Sequence, residues 1–427
     1  MKTNLIALGL LLMAVTTLAA EVTLSNTGKP DAAAQSSDNT QILYTTAVGP
    51  YSITVHESLV LHDERRNKDL EVRITYPDQG RNLPVIVWSH GAMGSKDIYP
   101  RLIHYWASHG YVCIQPNHSD SIDFGKKTDK REIFGDWESR PADIAFVLDS
   151  LNSIGQQIAA LQGRMDTSSI GVGGHSFGAH TAQLIAGAEV RKSNAAAYES
   201  YTDPRPNAFV LLSPQGTGNR ESMFDTGSWQ NMKRPVLTVT GSSDPGRTGK
   251  GWRWRLEPFL FAPPQDKYLL FIQGAYHGFG GIVGSGFATT GPDDEAHVRY
   301  VNGVTTAFWD AYLKADSSAL AFLRDGSVAR LTHSRAEVIV RGLNDKRIDE
   351  LGTDSNQAVP DSGNAGPDGG RISAAQIVSR FDRDNDGRLA EDEMPPRLAP
   401  AFSRIDTDGS GDVSADELSP ILQMKRQ

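Results

Sequence analysis

Cysteine is almost absent from this 427-residue sequence, which contains only Cys113. A single cysteine cannot form an internal disulfide, so a disulfide-rich scaffold and a cysteine-based zinc site are both excluded. Positive charge is also scarce, because 42 lysine and arginine residues face 51 aspartate and glutamate residues and leave a net charge of −9. Binding to nucleic acid depends largely on neutralising phosphates with positive charge. We therefore expect no nucleic-acid partner.

Long apolar runs are the third missing feature. After the N-terminus, no window of the sequence approaches the roughly 18 apolar residues that indicate a membrane-spanning helix, so we expect no membrane span. Residues 1–20 contain a shorter apolar stretch that follows Lys2 and ends in the small residues Ala19 and Ala20. This arrangement is typical of a secretory signal peptide. It predicts an exported protein that is secreted or periplasmic.

Between residues 45 and 344, short β-branched runs alternate with longer helical patterns. This alternation predicts an α/β fold with a mostly parallel eight-stranded sheet and helices on both faces. The continuous apolar run at 85–88 suits a strand buried on both faces, whereas the alternation at 71–75 indicates that the first two strands are antiparallel partners. The predicted strands are 52–60, 70–76, 84–89, 111–115, 169–173, 208–213, 235–240 and 267–272, and the predicted helices are 99–109, 140–151, 179–190 and 296–313.

Residues 174–178 read Gly-His-Ser-Phe-Gly and lie between a predicted strand and a predicted helix. A G-x-S-x-G sequence at such a sharp turn holds the serine in a strained backbone conformation and exposes its hydroxyl at the carboxyl edge of the sheet. Gly174 and Gly178 leave room for the strand and the helix to approach each other. We therefore predict that Ser176 is a nucleophile.

A serine hydroxyl needs a base to take its proton and a carboxylate to orient that base. Asp244 follows the predicted strand 235–240, and His277 follows the predicted strand 267–272. Both residues are thus expected at the same sheet edge as Ser176, in the chain order serine, acid, histidine. We predict His277 as the base and Asp244 as the orienting acid. The alternatives are that Asp244 only forms a turn and that His277 is an ordinary surface histidine.

Attack on a carbonyl group creates an oxyanion that backbone N–H groups must stabilise. One donor is expected from the loop after the strand 84–89, and the other from the residue after the nucleophile. We assign these donors to the amides of Ala92 and Phe177, with Met93 as the alternative to Ala92. His90 in the same loop is expected to hold the loop by side-chain hydrogen bonds rather than to act as a base.

Two aromatic-rich loop segments lie at the same edge of the predicted sheet, one after the strand 111–115 and one before the strand 267–272. Loops at this edge usually build the substrate site. Candidate pocket residues are Met93, Trp137, Trp252 and Trp254. The alternative is that the aromatic side chains only anchor the loops to the body of the domain.

The motifs of residues 45–344 resemble the α/β-hydrolase superfamily. The resemblance is carried by Ser-His-Gly at 89–91, Ala-Ser-His-Gly-Tyr at 107–111, Arg-Pro-Ala-Asp-Ile at 140–144, Gly-His-Ser-Phe-Gly-Ala-His at 174–180 and His-Gly-Phe-Gly-Gly at 277–281. They are similar to a secreted dienelactone-hydrolase-like branch that shares features with chlorophyllases, platelet-activating-factor acetylhydrolases and bacterial polyester hydrolases. The resemblance implies a serine hydrolase that cleaves small or polymeric carboxylic esters without a catalytic cofactor. True dienelactone hydrolases use a cysteine nucleophile, so a small cyclic lactone is not the expected substrate.

The C-terminal part of the chain has a different composition. Residues 345–370 are rich in Gly, Pro, Asp, Ser and Asn, which predicts a flexible linker. Residues 345–427 contain 17 acidic and 10 basic residues. An excess of acidic residues confined to one segment indicates a bound cation.

Two 12-residue segments, 382–393 and 406–417, match the calcium loop of EF-hands. Each has side-chain oxygens at positions 1, 3 and 5, glycine at position 6, a backbone carbonyl at position 7 and glutamate at position 12. The predicted ligands are Asp382, Asp384, Asp386, Arg388 and Glu393 in the first loop, and Asp406, Asp408, Ser410, Asp412 and Glu417 in the second. The sequence therefore predicts a small all-α EF-hand pair at 371–427 with structural Ca²⁺, in which Leu389 and Val413 pair the two loops. It identifies no protein partner for this pair.

These observations favour an exported serine esterase that carries a calcium-binding C-terminal domain. One alternative is a calcium-dependent binding protein whose hydrolase domain is inert. A serine peptidase is the other, and it is disfavoured because the sequence lacks a propeller or another substrate-gating domain.

Overall fold

The computed structural model describes residues 43–45, 48–125, 127, 129–191, 197–218, 223–246, 251–284 and 291–351, and toward the C-terminus residues 374, 378, 388–394 and 402–423. The predicted signal peptide lies outside the described residues. So do residues 352–370, which make up most of the predicted linker. The first residues of that predicted linker contain the helical turn Arg347–Glu350, and Leu351 is buried against Leu256 and Phe259.

A nine-stranded sheet in the order β1-β2-β4-β3-β5-β6-β7-β8-β9 forms the centre of the described structure. Its strands are β1 Ile53–Asp63, β2 Lys68–Pro77, β3 Leu83–Ser89, β4 Val112–Pro116, β5 Met165–His175, β6 Ala208–Leu212, β7 Val236–Gly241, β8 Lys267–Ile272 and β9 Ala336–Val340. The β1–β2, β2–β4 and β8–β9 pairs are antiparallel, and the other neighbouring pairs are parallel. The predicted antiparallel pairing of the first two strands is confirmed.

The prediction of eight strands is corrected to nine. The additional strand is β9, a five-residue strand that pairs with β8. Two of its five residues are only partly buried, as expected of an edge strand. It therefore lacks the long, fully apolar run by which buried parallel strands are recognised in a sequence.

Helices cover both faces of the sheet. They are α1 Pro100–Ser108, α2 Lys130–Phe134, α3 Ser139–Asp149, α4 Leu151–Gln157, α5 Phe177–Ala186, α6 Glu257–Phe261, α7 Glu295–Leu313, α8 Ser317–Arg324, α9 Ser327–Leu331 and α10 Arg347–Glu350. Short 3₁₀ helices lie at Ile122–Phe124, Ala159–Leu161 and Gly251–Leu256, and a two-stranded ribbon pairs Glu189–Val190 with Glu199–Ser200. No helix in the described ranges is long and apolar enough to cross a membrane.

Strand β3 illustrates why the sheet needs helices on both sides. All seven of its residues are buried. Successive side chains of a strand point to opposite faces, and accordingly Val85 and Val87 belong to one apolar cluster while Ile86 and Trp88 belong to the other. The carboxyl ends of the parallel strands β3, β5, β7 and β8 meet at one edge, and the residues that follow them form the candidate site.

The described C-terminal residues form a second small core. Strands Leu389–Ala390 and Asp412–Val413 pair antiparallel with Leu389 opposite Val413, which confirms the predicted pairing of these two residues. Helices α11 Phe402–Ile405 and α12 Ala415–Gln423 accompany them. The buried side chains of this core are Ala374, Val378, Leu389, Met394, Ile405, Val413 and Leu418.

Candidate active site

Ser176 sits at the sharp turn between β5 and α5. Its backbone has φ 54° and ψ −115°, a conformation that costs free energy for any residue with a side chain. A Cβ atom on Gly174 would lie 2.4 Å from the backbone of Gly178, and one on Gly178 would lie 1.9 Å from the carbonyl oxygen of Ser89. Both glycines are therefore required by close backbone approaches, and the strained serine turn has the geometry that the sequence predicted.

Asp244 lies just after β7 and is completely buried. Its carboxylate accepts hydrogen bonds from the hydroxyls of Ser213 and Thr240, the latter at 3.0 Å, and lies 2.9 Å from Nδ1 of His277. Burial alone would raise the pKa of Asp244, but the charges of Arg255 and His277 and the hydrogen bonds outweigh it and hold this pKa well below its usual value. Asp244 is thus an anion at neutral pH.

His277 follows β8, and its side chain is 14 % exposed. Because the ionised Asp244 can only accept, Nδ1 of His277 carries the proton in this contact. In the neutral ring the other nitrogen, Nε2, then has a free lone pair and can act as a base. The structure therefore brings two of the three predicted catalytic residues into direct contact.

His175 connects His277 to the serine turn. Its Nε2 lies 2.9 Å from the carbonyl oxygen of His277, and the centroids of the two imidazole rings are 4.6 Å apart. Burial, and then the proximity of His277, lower the pKa of His175 well below its usual value, so this ring is neutral. Its Nδ1 lies 3.2 Å from the Tyr99 hydroxyl and accepts its proton. The hydroxyl oxygen in turn accepts from the amide of Gly91 at 3.0 Å. This chain of hydrogen bonds ties the residue before Ser176 both to His277 and to the loop after β3.

The loop after β3 contains both candidates for the first oxyanion donor. The amide of Met93 donates to Asp120 Oδ2 at 3.1 Å, so it is committed to a carboxylate. Ala92 precedes it and is partly exposed, which favours Ala92 over Met93. Phe177 begins α5, where a first-turn amide has no acceptor within its own helix. The assignment of Ala92 and Phe177 as the two donors stays a prediction.

Arg140 holds both sides of this candidate oxyanion site, and sequence reasoning had given it no role. The residue is 1 % exposed. Its guanidinium donates to the two carboxylate oxygens of Asp120 at 2.9 and 2.8 Å and to the carbonyl of His90 at 2.8 Å. It also lies over the ring of Phe177, 4.4 Å from the centroid. The Arg-Pro-Ala-Asp-Ile motif that begins with it was the signal in the sequence.

A second serine, histidine and aspartate set lies directly beneath the loop. Nε2 of His118 is 2.9 Å from the Ser89 hydroxyl, and its Nδ1 is 3.0 Å from Asp143. All three side chains are wholly buried, so no substrate reaches them and the set is structural. His90 accepts from the amide of His118 through Nε2 at 3.1 Å, which is the loop-holding role predicted for His90.

The three candidate pocket tryptophans make internal contacts. Trp254 is wholly buried, and its indole N–H donates to the carbonyl of Thr217 at 2.8 Å. Trp252 packs against Phe271 with ring centroids 4.6 Å apart. Trp137 is 9 % exposed and packs edge-on against His180 and Tyr201. These contacts favour the loop-anchoring alternative for the tryptophans. Met93 and Trp252 are the partly exposed members of the set, and Met93 lies beside Ala92.

The second predicted calcium loop lies within the described residues. Carboxylate oxygens of Asp406, Asp408 and Glu417 lie within 4.8 Å of one another. Oxygen ligands at about 2.3–2.6 Å from one Ca²⁺ cannot be more than about 5 Å apart, so this donor set fits the ion. The Glu417 carboxylate is held in place by the amides of Thr407 and Ser414, both at 2.9 Å.

Four other predicted calcium ligands lie within the described residues. The hydroxyl of Ser410 donates to the carbonyl of Asp412 at 2.9 Å. In the first loop, Glu393 is buried and accepts from the amide of Ala390 at 3.1 Å, and Arg388 lies beside Ser410. Asp382, Asp384 and Asp386 lie outside the described residues.

Comparison with protein-family models gives a match to part of the chain. A family model described as Chlorophyllase matches residues 45–196. The matched segment contains the loop after β3, Arg140 and Ser176, and it ends before Asp244 and His277. At a general level, this partial match implies a carboxylic ester hydrolase with an α/β fold. A search of curated proteins finds no match to the chain.

Proposed function

We propose that this chain is a serine hydrolase that cleaves carboxylic esters through an acyl-enzyme intermediate. Ser176 is the nucleophile, His277 the base and Asp244 the orienting acid. The observation that carries the proposal is the 2.9 Å contact between Asp244 and His277, formed at the sheet edge where Ser176 has its strained backbone. The Chlorophyllase match at 45–196 supports the same reaction class.

The reaction begins when the Ser176 hydroxyl attacks the ester carbonyl carbon and Nε2 of His277 takes the hydroxyl proton. The negative charge that forms on the carbonyl oxygen is stabilised by the amides of Ala92 and Phe177. His277 then gives its proton to the leaving alcohol, and the acyl group stays on Ser176. In the second half, His277 takes a proton from water while the water oxygen attacks the acyl carbonyl carbon. The bond from this carbon to Oγ of Ser176 then breaks, His277 returns the proton to Oγ, and the carboxylic acid is released.

Asp244 acts throughout as a buried anion. It holds the proton of His277 on Nδ1 and stabilises the positive charge that the ring acquires in each transition state. The depressed pKa of Asp244 keeps it ionised over the pH range in which an imidazole can accept a proton. Nε2 of His277 is then the nitrogen that takes the proton of the reacting hydroxyl.

The proposal includes two features outside the catalytic site. Residues 371–427 form an EF-hand pair whose second loop binds Ca²⁺ through Asp406, Asp408 and Glu417, and this role is structural because the carboxylates serve no step of ester cleavage. Residues 1–20 direct export, so the enzyme is secreted or periplasmic. Its substrates are small or polymeric esters rather than peptides.

Hydrolysis of p-nitrophenyl acetate and butyrate tests the proposal. Ser176→Ala should lower kcat by roughly 10⁴-fold or more, because the nucleophile is removed while the fold is kept. Ser58→Ala is the matched control, since Ser58 is an exposed serine on β1, and it should retain the wild-type rate. Equal rates for wild type and Ser176→Ala would favour the alternative of an inert hydrolase domain with a calcium-dependent binding role.

A further inference from the structure

We propose that Arg255 is a positioning residue of the active site, which fixes the Asp244–His277 pair and sets the lower pH limit of activity. The inference rests on the proposed function, because it concerns the same catalytic pair. The sequence alone assigned Arg255 no role. Its placement in the fold gives it a specific task.

Arg255 joins the ends of two neighbouring strands. It lies in the 3₁₀ helix Gly251–Leu256 and is 5 % exposed. Its Nη1 donates to the carbonyls of Ser213 and Pro214, at 2.9 and 3.1 Å, and its Nη2 donates to the carbonyl of Pro245 at 3.1 Å. Ser213 follows β6 and binds Asp244 through its hydroxyl, and Pro245 follows Asp244 in the chain. One side chain therefore fixes the backbone on both sides of the catalytic carboxylate.

The charge of Arg255 lies against the hydrogen bond between Asp244 and His277. Its Nε is 3.5 Å from Oδ1 of Asp244, and its Nη2 is 3.4 Å from Nδ1 of His277. A guanidinium keeps its charge at every pH of interest. This permanent cation stabilises the Asp244 anion, and it opposes the addition of a proton to the neighbouring imidazole.

Two other titratable groups face His277 among the described residues. Asp244 favours the protonated ring, as the orienting acid of such a pair does. His175 is neutral, since burial lowers its pKa, and it contributes a hydrogen bond rather than a charge. Arg255 is therefore the permanent cation that lies against this ring, opposite the anion of Asp244.

The test is the pH dependence of kcat/KM for Arg255→Gln and Arg255→Lys. Arg255→Gln removes the cation. We therefore expect the acid limb, the low-pH side of the profile of kcat/KM against pH, to move to higher pH by about one unit, the size of effect that a charge within 4–6 Å produces. Arg255→Lys keeps a cation but loses the forked contacts to three carbonyls. It should lower the plateau of kcat/KM while the acid limb stays near the wild-type position.

Arg253→Gln is the matched control. Arg253 lies two residues away in the same 3₁₀ helix, and its guanidinium stacks on Trp252 at 4.3 Å from the ring centroid instead of contacting the catalytic pair. The same change of charge there should leave the acid limb in place. A merely structural role for Arg255 would lower activity and melting temperature in both Arg255 variants without moving the limb.

The outcomes separate this inference from the proposed function. If wild-type turnover does not depend on Ser176, the proposed function fails, and NMR titration of the His277 ring in wild type and Arg255→Gln still tests the effect of the cation. If turnover depends on Ser176 but Arg255→Gln leaves the acid limb unmoved, the inference on Arg255 is overturned. Should Arg255→Gln fail to fold, a displacement of the acid limb by a full unit in Arg255→Lys would also contradict it.

Discussion

A methyl group added at Gly178 tests the tightest contact beneath the proposed nucleophile. A Cβ at this position would lie 1.9 Å from the carbonyl oxygen of Ser89 and 2.5 Å from its carbonyl carbon, whereas real Cβ atoms essentially never come closer than 3.0 Å. The obstacle is backbone rather than the end of a flexible side chain. Gly178→Ala therefore forces the start of α5 and the end of β3 apart by roughly 1 Å, the difference between the 1.9 Å approach and the 3.0 Å limit.

We expect Gly178→Ala to lower the free energy of unfolding by about 1–3 kcal/mol, the usual cost of overpacking. The displacement also moves Ser176 and Phe177 relative to Ala92, which lies on the other side of the gap. A misplacement of about 1 Å in an active site typically costs about 100-fold in rate. The loss should therefore appear mainly in kcat and only weakly in KM.

Urea unfolding followed by tryptophan fluorescence measures the stability change, and p-nitrophenyl butyrate hydrolysis measures the rate. Gly155→Ala is the matched control, because its added Cβ would first meet the terminal methyl group of Met165 at 3.1 Å, and that flexible group can move aside. This control should keep wild-type kcat and stability to within about 1 kcal/mol. A Gly178→Ala protein that is folded and has wild-type kcat would refute the close approach of α5 and β3.

Three other changes test separate parts of the structure. Arg140→Gln leaves the buried carboxylate of Asp120 without its cation and should lower the free energy of unfolding by about 3–5 kcal/mol. A loss below about 1 kcal/mol in urea titrations would contradict the pairing of Arg140 with Asp120. Burial lowers the pKa values of His90 and His175, so the unfolded chain binds protons first as the pH falls. The melting temperature should therefore be highest above about pH 6.5 and decrease below it, whereas a melting temperature that rises on acidification would argue against neutral buried rings. EDTA should unfold residues 371–427 and leave most ester turnover intact. Glu417→Gln should weaken Ca²⁺ binding, as measured by calorimetry. A loss of turnover on chelation that added Ca²⁺ restores would show that Ca²⁺ binding and ester cleavage are coupled.

Features encoded in a few consecutive residues could be predicted from the sequence. The Gly-His-Ser-Phe-Gly turn contains all the residues that its geometry needs, and the structure gives Ser176 the expected positive φ of 54°. The contact between Asp244 and His277 could be predicted because each residue follows an apolar run that indicates a strand, and parallel strands bring their carboxyl ends together. The pairing of Leu389 with Val413 was predictable for a similar reason, since the two predicted calcium loops repeat one local pattern.

Contacts between distant segments were decided only by the tertiary structure. Arg140 and Arg255 look like ordinary charged residues until the fold buries them, beside Asp120 in one case and beside Asp244 and His277 in the other. The wholly buried Ser89, His118 and Asp143 set has the same residue types as the proposed catalytic set, and only its burial distinguishes the two. A sequence specifies which side chains can form hydrogen bonds, but the packing of loops that are far apart in the chain determines which of them meet and which stay open to a substrate.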